Sequence, residues 1–411
     1  MIQLHDLLFQ AGRHGCALIL LATLALTTSC GGGSSSSGSG SSPTTPTTVN
    51  NVQPVQVNLG PLNNDANLLF ASVTICVPGT TNCQTLQDVQ VDTGSEGLRV
   101  ISTQLSLSLP PVSDAIGNHI GNCIVFADNS YIWGPVVKAD VQMAGEKATS
   151  VPVQIIGQSN FPATPSSCNS GGTEIKTVSD LGATALLGVG VFRHDCGDAC
   201  AGTNPPKIYF TCSPSGCSVT SVPLENQIQN PVWLFPTDNN GILISLPSIS
   251  AAGAPTVSGS MIFGIGTQAN NGLGTAQVYA TDSQGNFSTT FQGKPYSSSY
   301  IDSGSNGFFF STAASLGIPV CKDASSFYCP SSTVSYTATH TGTNGTSGQV
   351  NFSIANADTL FSSANSAFNN LGGPGTSSQF DWGLPFFFGR NVFTAINTQN
   401  TPAGPGPYWA Y

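Results

Sequence analysis

Charge is what this chain has least of. Of 411 residues, 10 are Lys or Arg and 20 are Asp or Glu. A nucleic-acid surface needs clustered cations to neutralise phosphates, and no such cluster occurs, so nucleic acid is excluded as a partner. Histidine is nearly as scarce: five residues, of which His5 and His14 fall in the first 30. His119, His194 and His340 lie in Gly-, Asp- or Thr-rich contexts, none spaced to pair with a nucleophile, and are read as solvent-exposed. Gly-x-Ser-x-Gly, His-Glu-x-x-His and phosphate-loop patterns are missing, which removes the usual signatures of serine hydrolases, zinc peptidases and nucleotide enzymes. The apolar run at residues 16–26 is too short to span a bilayer as a helix. What the chain does have is 46 Gly and 27 Pro among many Ser, Thr and Asn, leaving little room for long helices. With 39% hydrophobic residues and so little charge, the body is expected to fold, rich in strands and turns.

Residues 1–30 read as an export signal: Arg13 and His14, the apolar run, then Thr27-Thr28-Ser29-Cys30. Cys30 followed by a Gly/Ser tract resembles the cleavage site of bacterial lipoproteins, with Thr27 where an aliphatic residue is usual. That resemblance implies lipidation of Cys30 and an exported protein of the bacterial cell envelope, anchored to a membrane and facing the periplasm or the cell surface. Residues 31–50, Ser/Gly-rich and then Pro/Thr-rich, cannot bury a core and read as a flexible tether.

With Cys16 in the signal and Cys30 assigned to lipid, ten cysteines remain, an even number suited to disulfides in an exported chain. Cys76/Cys83, Cys196/Cys200, Cys212/Cys217 and Cys321/Cys329 are close in sequence, and Cys123 and Cys168 are left for each other. Zinc held by the 196/200 and 212/217 pairs is the competing reading, but the spacings suit it poorly. No metal and no cofactor are expected. Asp195 and Asp198, between cysteines, read as part of a stapled loop.

Period-two patterning marks short strands, and a turn at residues 78–82 makes residues 69–91 a hairpin stapled by Cys76 and Cys83. Val91-Asp92-Thr93-Gly94-Ser95 follows directly. A second copy, Ile301-Asp302-Ser303-Gly304-Ser305, comes 210 residues later. One copy alone would be an ordinary Asp–Gly turn. Two copies, each after a strand and one in each half, call for a joint explanation. Downstream of each lies an apolar run with Gly: residues 185–190, and residues 386–393, both read as buried strands.

In these motifs the sequence resembles the pepsin-like aspartic peptidases, and within that superfamily a group of bacterial lipoproteins of unassigned function. The Gly389-Arg390-Asn391 step also resembles the single-lobe retroviral members. The likeness runs in order over residues 55–400. Residues 124–134 fall where the family's flap hairpin closes over substrate, residues 136–145 resemble the strand and turn after it, and residues 258–264 the second-lobe strand before the second triad. The resemblance implies a mostly all-β, bilobal acid-protease fold: two β-barrel-like lobes, residues 51–222 and 223–411, around a central cleft, with few short helices.

The implied chemistry needs neither metal nor a Ser or Cys nucleophile. Two adjacent carboxyls, Asp92 and Asp302, share one proton, so one acts as general base on a water and the other as general acid toward the peptide carbonyl. Gly94 and Gly304 allow a tight turn and close approach. Thr93 and Ser303 would lock the loops together, and Ser95 and Ser305 would donate to the outer carboxylate oxygens, favouring the ionised form and acid activity. The flap tyrosine of the family aligns with Phe126, which has no donor; Asp128, Tyr131 and Trp133 are the neighbouring candidates for substrate contact. Phe308, Phe309 and Phe310 read as core. The expected partner is a peptide or protein substrate, and a monomer is expected. The alternative is a catalytically inert binding or structural lipoprotein that keeps the fold.

Overall fold

The computed structural model describes residues 50–168 and 171–411. Residues 1–49, which hold the expected signal, Cys30 and most of the expected tether, lie outside the described residues. The fold is mostly β, and its described α-helices are only four or five residues long. Two similar lobes each hold one Asp-hydroxyl-Gly-Ser loop, in the bilobal arrangement the resemblance implies.

In the first lobe, strands Leu68–Cys76 and Cys83–Asp92 form the expected hairpin, with Cys76 opposite Cys83. Strand Ala185–Val189 then inserts beside the first triad. It runs parallel to Cys83–Asp92, pairing Gly188 with Asp92, and antiparallel to Glu96–Ile101 on its other side. The second lobe repeats this device: strand Gln379–Trp382 runs parallel to Lys294–Ile301 and antiparallel to Phe308–Phe310. A loop that leaves a strand and is re-entered by a later one is held on both sides, which fixes its carboxylate.

The second inserted strand corrects the sequence reading, which placed it at residues 386–393. Leu384–Phe387 is instead a 3-10 turn with Pro at its start, and Pro385 cannot donate to a ladder. Strand Arg390–Ala395 pairs elsewhere, with Gly241–Leu246. The true equivalent of Gly188 is Gly383. A Cβ at Gly188 would lie 2.6 Å from the Glu96 backbone, and one at Gly383 would lie 2.6 Å from the Ser305 carbonyl oxygen.

A sheet beneath both triads joins the lobes. Strand Val52–Asn58 pairs on one edge with Leu68–Cys76 and on the other with Val257–Phe263, whose neighbour is Gly241–Leu246. Val55 and Val57 face the core while their neighbours face outward, the half-buried alternation that the sequence shows. In the second lobe the core is aromatic: Phe310 stacks on Phe380 at 4.6 Å and Phe380 on Trp382 at 4.3 Å. Phe308, Phe309 and Phe310 are all buried, as expected.

All five disulfides form as paired from the sequence. Cys76–Cys83, Cys196–Cys200, Cys212–Cys217 and Cys321–Cys329 have Cα separations of 3.9, 5.7, 4.1 and 4.8 Å, and Cys123–Cys168 of 5.9 Å. With those thiols oxidised, the zinc reading falls. Two further expectations are corrected. His340 is not exposed but fully buried against Trp382 and Phe287, its Nδ1 2.6 Å from the Tyr411 hydroxyl. Asp195 is not merely a loop residue: it is buried in an ion pair with Arg99.

Candidate active site

The two triads meet at the centre and interlock reciprocally. Thr93 Oγ1 donates to the Ile301 carbonyl (2.9 Å) and accepts from the Ser303 N–H (2.9 Å). Ser303 Oγ donates to the Val91 carbonyl (2.8 Å) and accepts from the Thr93 N–H (3.1 Å). Each hydroxyl thus satisfies a buried backbone donor and acceptor of the opposite lobe, which would otherwise be orphaned at a cost of about 1–3 kcal/mol each.

Within each loop the carboxylate is held by its own turn. The Gly94 N–H donates to Asp92 Oδ1 and the Gly304 N–H to Asp302 Oδ1, both at 2.7 Å. Ser95 Oγ donates to Asp92 Oδ2, and Ser305 Oγ to Asp302 Oδ2 at 2.9 Å. The two carboxyls face each other: a single point above Gly304 lies 2.5 Å from Asp92 Oδ1 and 3.0 Å from Asp302 Oδ1. Gly94 and Gly304 serve close approach rather than a left-handed backbone: a Cβ on Gly304 would lie 2.5 Å from Asp92 Oδ1, and one on Gly94 2.7 Å from the Asp302 carboxyl. Both aspartates are fully buried. Burial first, then the Asp302 charge, push the Asp92 carboxyl well above its ordinary range, against the lowering effect of Ser95 and Gly94. One proton shared between two carboxyls is the form such a pair adopts.

A cleft of about 390 Å³ opens between the lobes beside the first triad, with Thr93, Gly94 and Glu96 on one wall and Tyr300, Ser298 and Gln379 on the other.

The flap candidates divide. Strands His119–Val125 and Tyr131–Met143 form the hairpin. Phe126, at its turn, is buried in an apolar cluster with Ile132 and with Leu186 of the first inserted strand. Asp128 accepts from the Ser130 N–H and hydroxyl and so shapes the turn. Tyr131 and Trp133 alternate to the opposite face, packing with Phe210 and the Cys123–Cys168 bridge. The Trp133 indole N–H is given to the Pro162 carbonyl (2.8 Å). The structure does not gather these two rings with Phe126.

Sequence reasoning missed three acids, two of them buried and one half-buried at the cleft wall. Asp381, on the second inserted strand, lies 2.7 Å from Ser305 Oγ. Its signal was the Phe-Asp-Trp-Gly pattern at residues 380–383, hidden by the louder aromatic run after it. Glu96 accepts from the Phe192 N–H, and burial raises its carboxyl to about 8. Asp65 is raised to about 7 by burial.

These groups set a pH dependence of stability. The native carboxyls of Asp65 and Glu96 keep protons that the unfolded chain releases near pH 4, so stability falls as pH rises from about 4 to about 8. Burial lowers His340 to about 3, so the unfolded chain takes up a proton below pH 6.5 that the native state refuses, and stability falls again toward pH 3. The urea midpoint is therefore expected to peak near pH 4, where the two opposing slopes cancel, and to fall from there to about pH 8. A midpoint climbing steadily from pH 5 to 8 contradicts this.

Two β lobes meeting at interlocked Asp-hydroxyl-Gly-Ser loops define an aspartic-peptidase-like fold. The chain itself belongs to a family described as a protein of unknown function, DUF3443, whose model matches residues 47–411. No curated protein matches it by sequence. Among solved structures, the chain is similar to an aspartic proteinase from Irpex lacteus at 13% identity and a TM-score of 0.49, the match covering 87% of this chain and 96% of that one.

Proposed function

We propose that the chain is an aspartic endopeptidase in which a water held between Asp92 and Asp302 attacks a peptide bond. The observation that carries this is the buried, facing pair of carboxyls, fixed by reciprocal Thr93 and Ser303 contacts across the lobes. The ionised carboxylate takes a proton from the water as its protonated partner gives one to the carbonyl oxygen, and the roles reverse on collapse of the intermediate. A binding protein has no use for two carboxyls each held by a matching Gly N–H and Ser hydroxyl. The Ser95 hydroxyl lowers the Asp92 carboxyl against the raising effect of burial, so Ser95→Ala raises the acidic limb of the rate profile, by about one pH unit; an unmoved limb removes Ser95 from this role.

The test incubates the protein with an unfolded polypeptide from about pH 3 to 8, with and without a transition-state peptide inhibitor of aspartic peptidases. Cleavage blocked by the inhibitor supports the reading. Peptide binding with no cleavage at any pH favours the inert binding lipoprotein, a reading supported by the flap: Phe126 has no donor and is buried in an apolar cluster, and the Trp133 indole N–H is given to the Pro162 carbonyl.

For location we propose the bacterial envelope with Cys30 as the lipidated residue, supported by five disulfides, which require an oxidising compartment. Cys30→Ser should move the protein from the membrane to the soluble fraction, and continued sedimentation with membranes rejects the anchor.

A further inference from the structure

Behind the pair stands a third carboxyl. Asp381 is 2% exposed, and its Oδ2 lies 2.7 Å from Ser305 Oγ, the same hydroxyl that is 2.9 Å from Asp302 Oδ2. Its other oxygen, Oδ1, is buried and has no hydrogen-bond partner in the protein. The groups around it are acidic or neutral: Asp302 and Ser305 from the second triad, Tyr300 from the parallel strand, and Phe309 from the antiparallel one. Among the described residues no Lys, Arg or His pairs with it.

Ser305 has one O–H and two carboxyl neighbours. If both neighbours were ionised, one short O···O contact would set lone pair against lone pair. One of the two must therefore carry a proton, and either carboxyl can hold it. Transfer balances without any other reactant: Asp381 gives its proton to Ser305 Oγ while Ser305 passes its own to Asp302 Oδ2.

We propose that Asp92, Asp302 and Asp381 form one proton-sharing set linked through Ser305, in which Asp381 is a positioning residue that supplies the catalytic pair with a proton at higher pH than two carboxyls alone would hold one. With two protons on three carboxyls, the pair holds one and Asp381 the other. Loss of one proton leaves the last within the pair, because a charge on Asp381 and one on the pair lie further apart than two charges within the pair. The pair stays singly protonated, and only the final proton, leaving a set already doubly charged, ends activity. The direction of the Asp381 shift agrees: burial first, then the Asp302 charge, raise it well above the ordinary carboxylate range.

The catalytic consequence rests on the peptidase reading, whereas the shared titration does not, and two readouts on the full-length protein separate them. Asp381→Asn keeps a hydrogen-bonding group and Asp381→Leu keeps the shape. Both should lower the alkaline limb of kcat/KM by about one pH unit or more while leaving the acidic limb in place. Carbon-13 carboxyl titration should show the Asp381 midpoint falling in Asp302→Asn, because a like charge has been removed. If a folded Asp381 variant keeps the wild-type alkaline limb, or if the Asp381 midpoint is the same in Asp302→Asn, the shared set is overturned. A wild-type protein that cleaves nothing but whose Asp381 midpoint falls in Asp302→Asn rejects the peptidase reading and upholds the proton set.

Discussion

Asp92→Asn and Asp302→Asn each reduce peptide cleavage to background, a loss of at least about 10³-fold, while both variants unfold at or above the wild-type urea midpoint. The loss follows because each step of hydrolysis needs one carboxyl to accept a proton and the other to give one, and an amide does neither. The retained stability follows because an amide keeps the shape and hydrogen-bonding capacity of the protonated member of the pair and leaves the hydroxyl interlock of Thr93 and Ser303 undisturbed. Cleavage rates compared at equal folded fraction decide the matter. Wild-type turnover in either variant would make the pair a structural relic.

The second large effect lies at Arg99, on strand Glu96–Ile101 just after the first triad. Its guanidinium reaches Asn122 (2.7 Å), Gln154 (2.6 Å) and Asp195 (3.2 Å), and the Tyr209 hydroxyl donates to Asp195 from the other side at 2.6 Å. Both members of the ion pair are buried, at 1% and 3% exposure. Arg99→Met leaves the Asp195 carboxylate dry and unpaired, an expected cost of about 3–5 kcal/mol in urea unfolding at neutral pH. Adding Asp195→Leu should recover much of that loss, since no lone charge then remains. A double variant no more stable than the single one would show that the arginine acts by packing instead.

The symmetric parts of the molecule were legible from the sequence because duplication leaves a repeated pattern. Two Asp-hydroxyl-Gly-Ser segments, each following an alternating strand, announce two lobes. Local cysteine spacing announces four staples and leaves the fifth by elimination. The asymmetric parts were not legible. Asp381 interrupts an apolar strand that would otherwise match Ala185–Val189, and the longer aromatic run after it carries the stronger strand pattern several residues too late. His340 looks like a surface residue because Thr and Gly surround it in sequence, yet in its strand only every second side chain faces the aromatic core, and it is one of those. Arg99 and Asp195 lie 96 residues apart, and no local pattern joins them.

Strand Val52–Asn58 bears on how the chain acquires its shape. It is the first described strand, yet Val52 meets Ile262 and Val57 meets Val257, partners some 200 residues downstream. Emerging early from a ribosome or a translocation channel, it would expose one unpaired edge until residues 257–263 had followed, some 200 residues later. Contacts of such long range make assembly slow and leave an open edge exposed to aggregation meanwhile. The first lobe can gather its own strands early, but its union with the second waits for the chain to be nearly complete. The interlocked loops at the centre therefore form late, and a half-made molecule carries one aspartate without its mate.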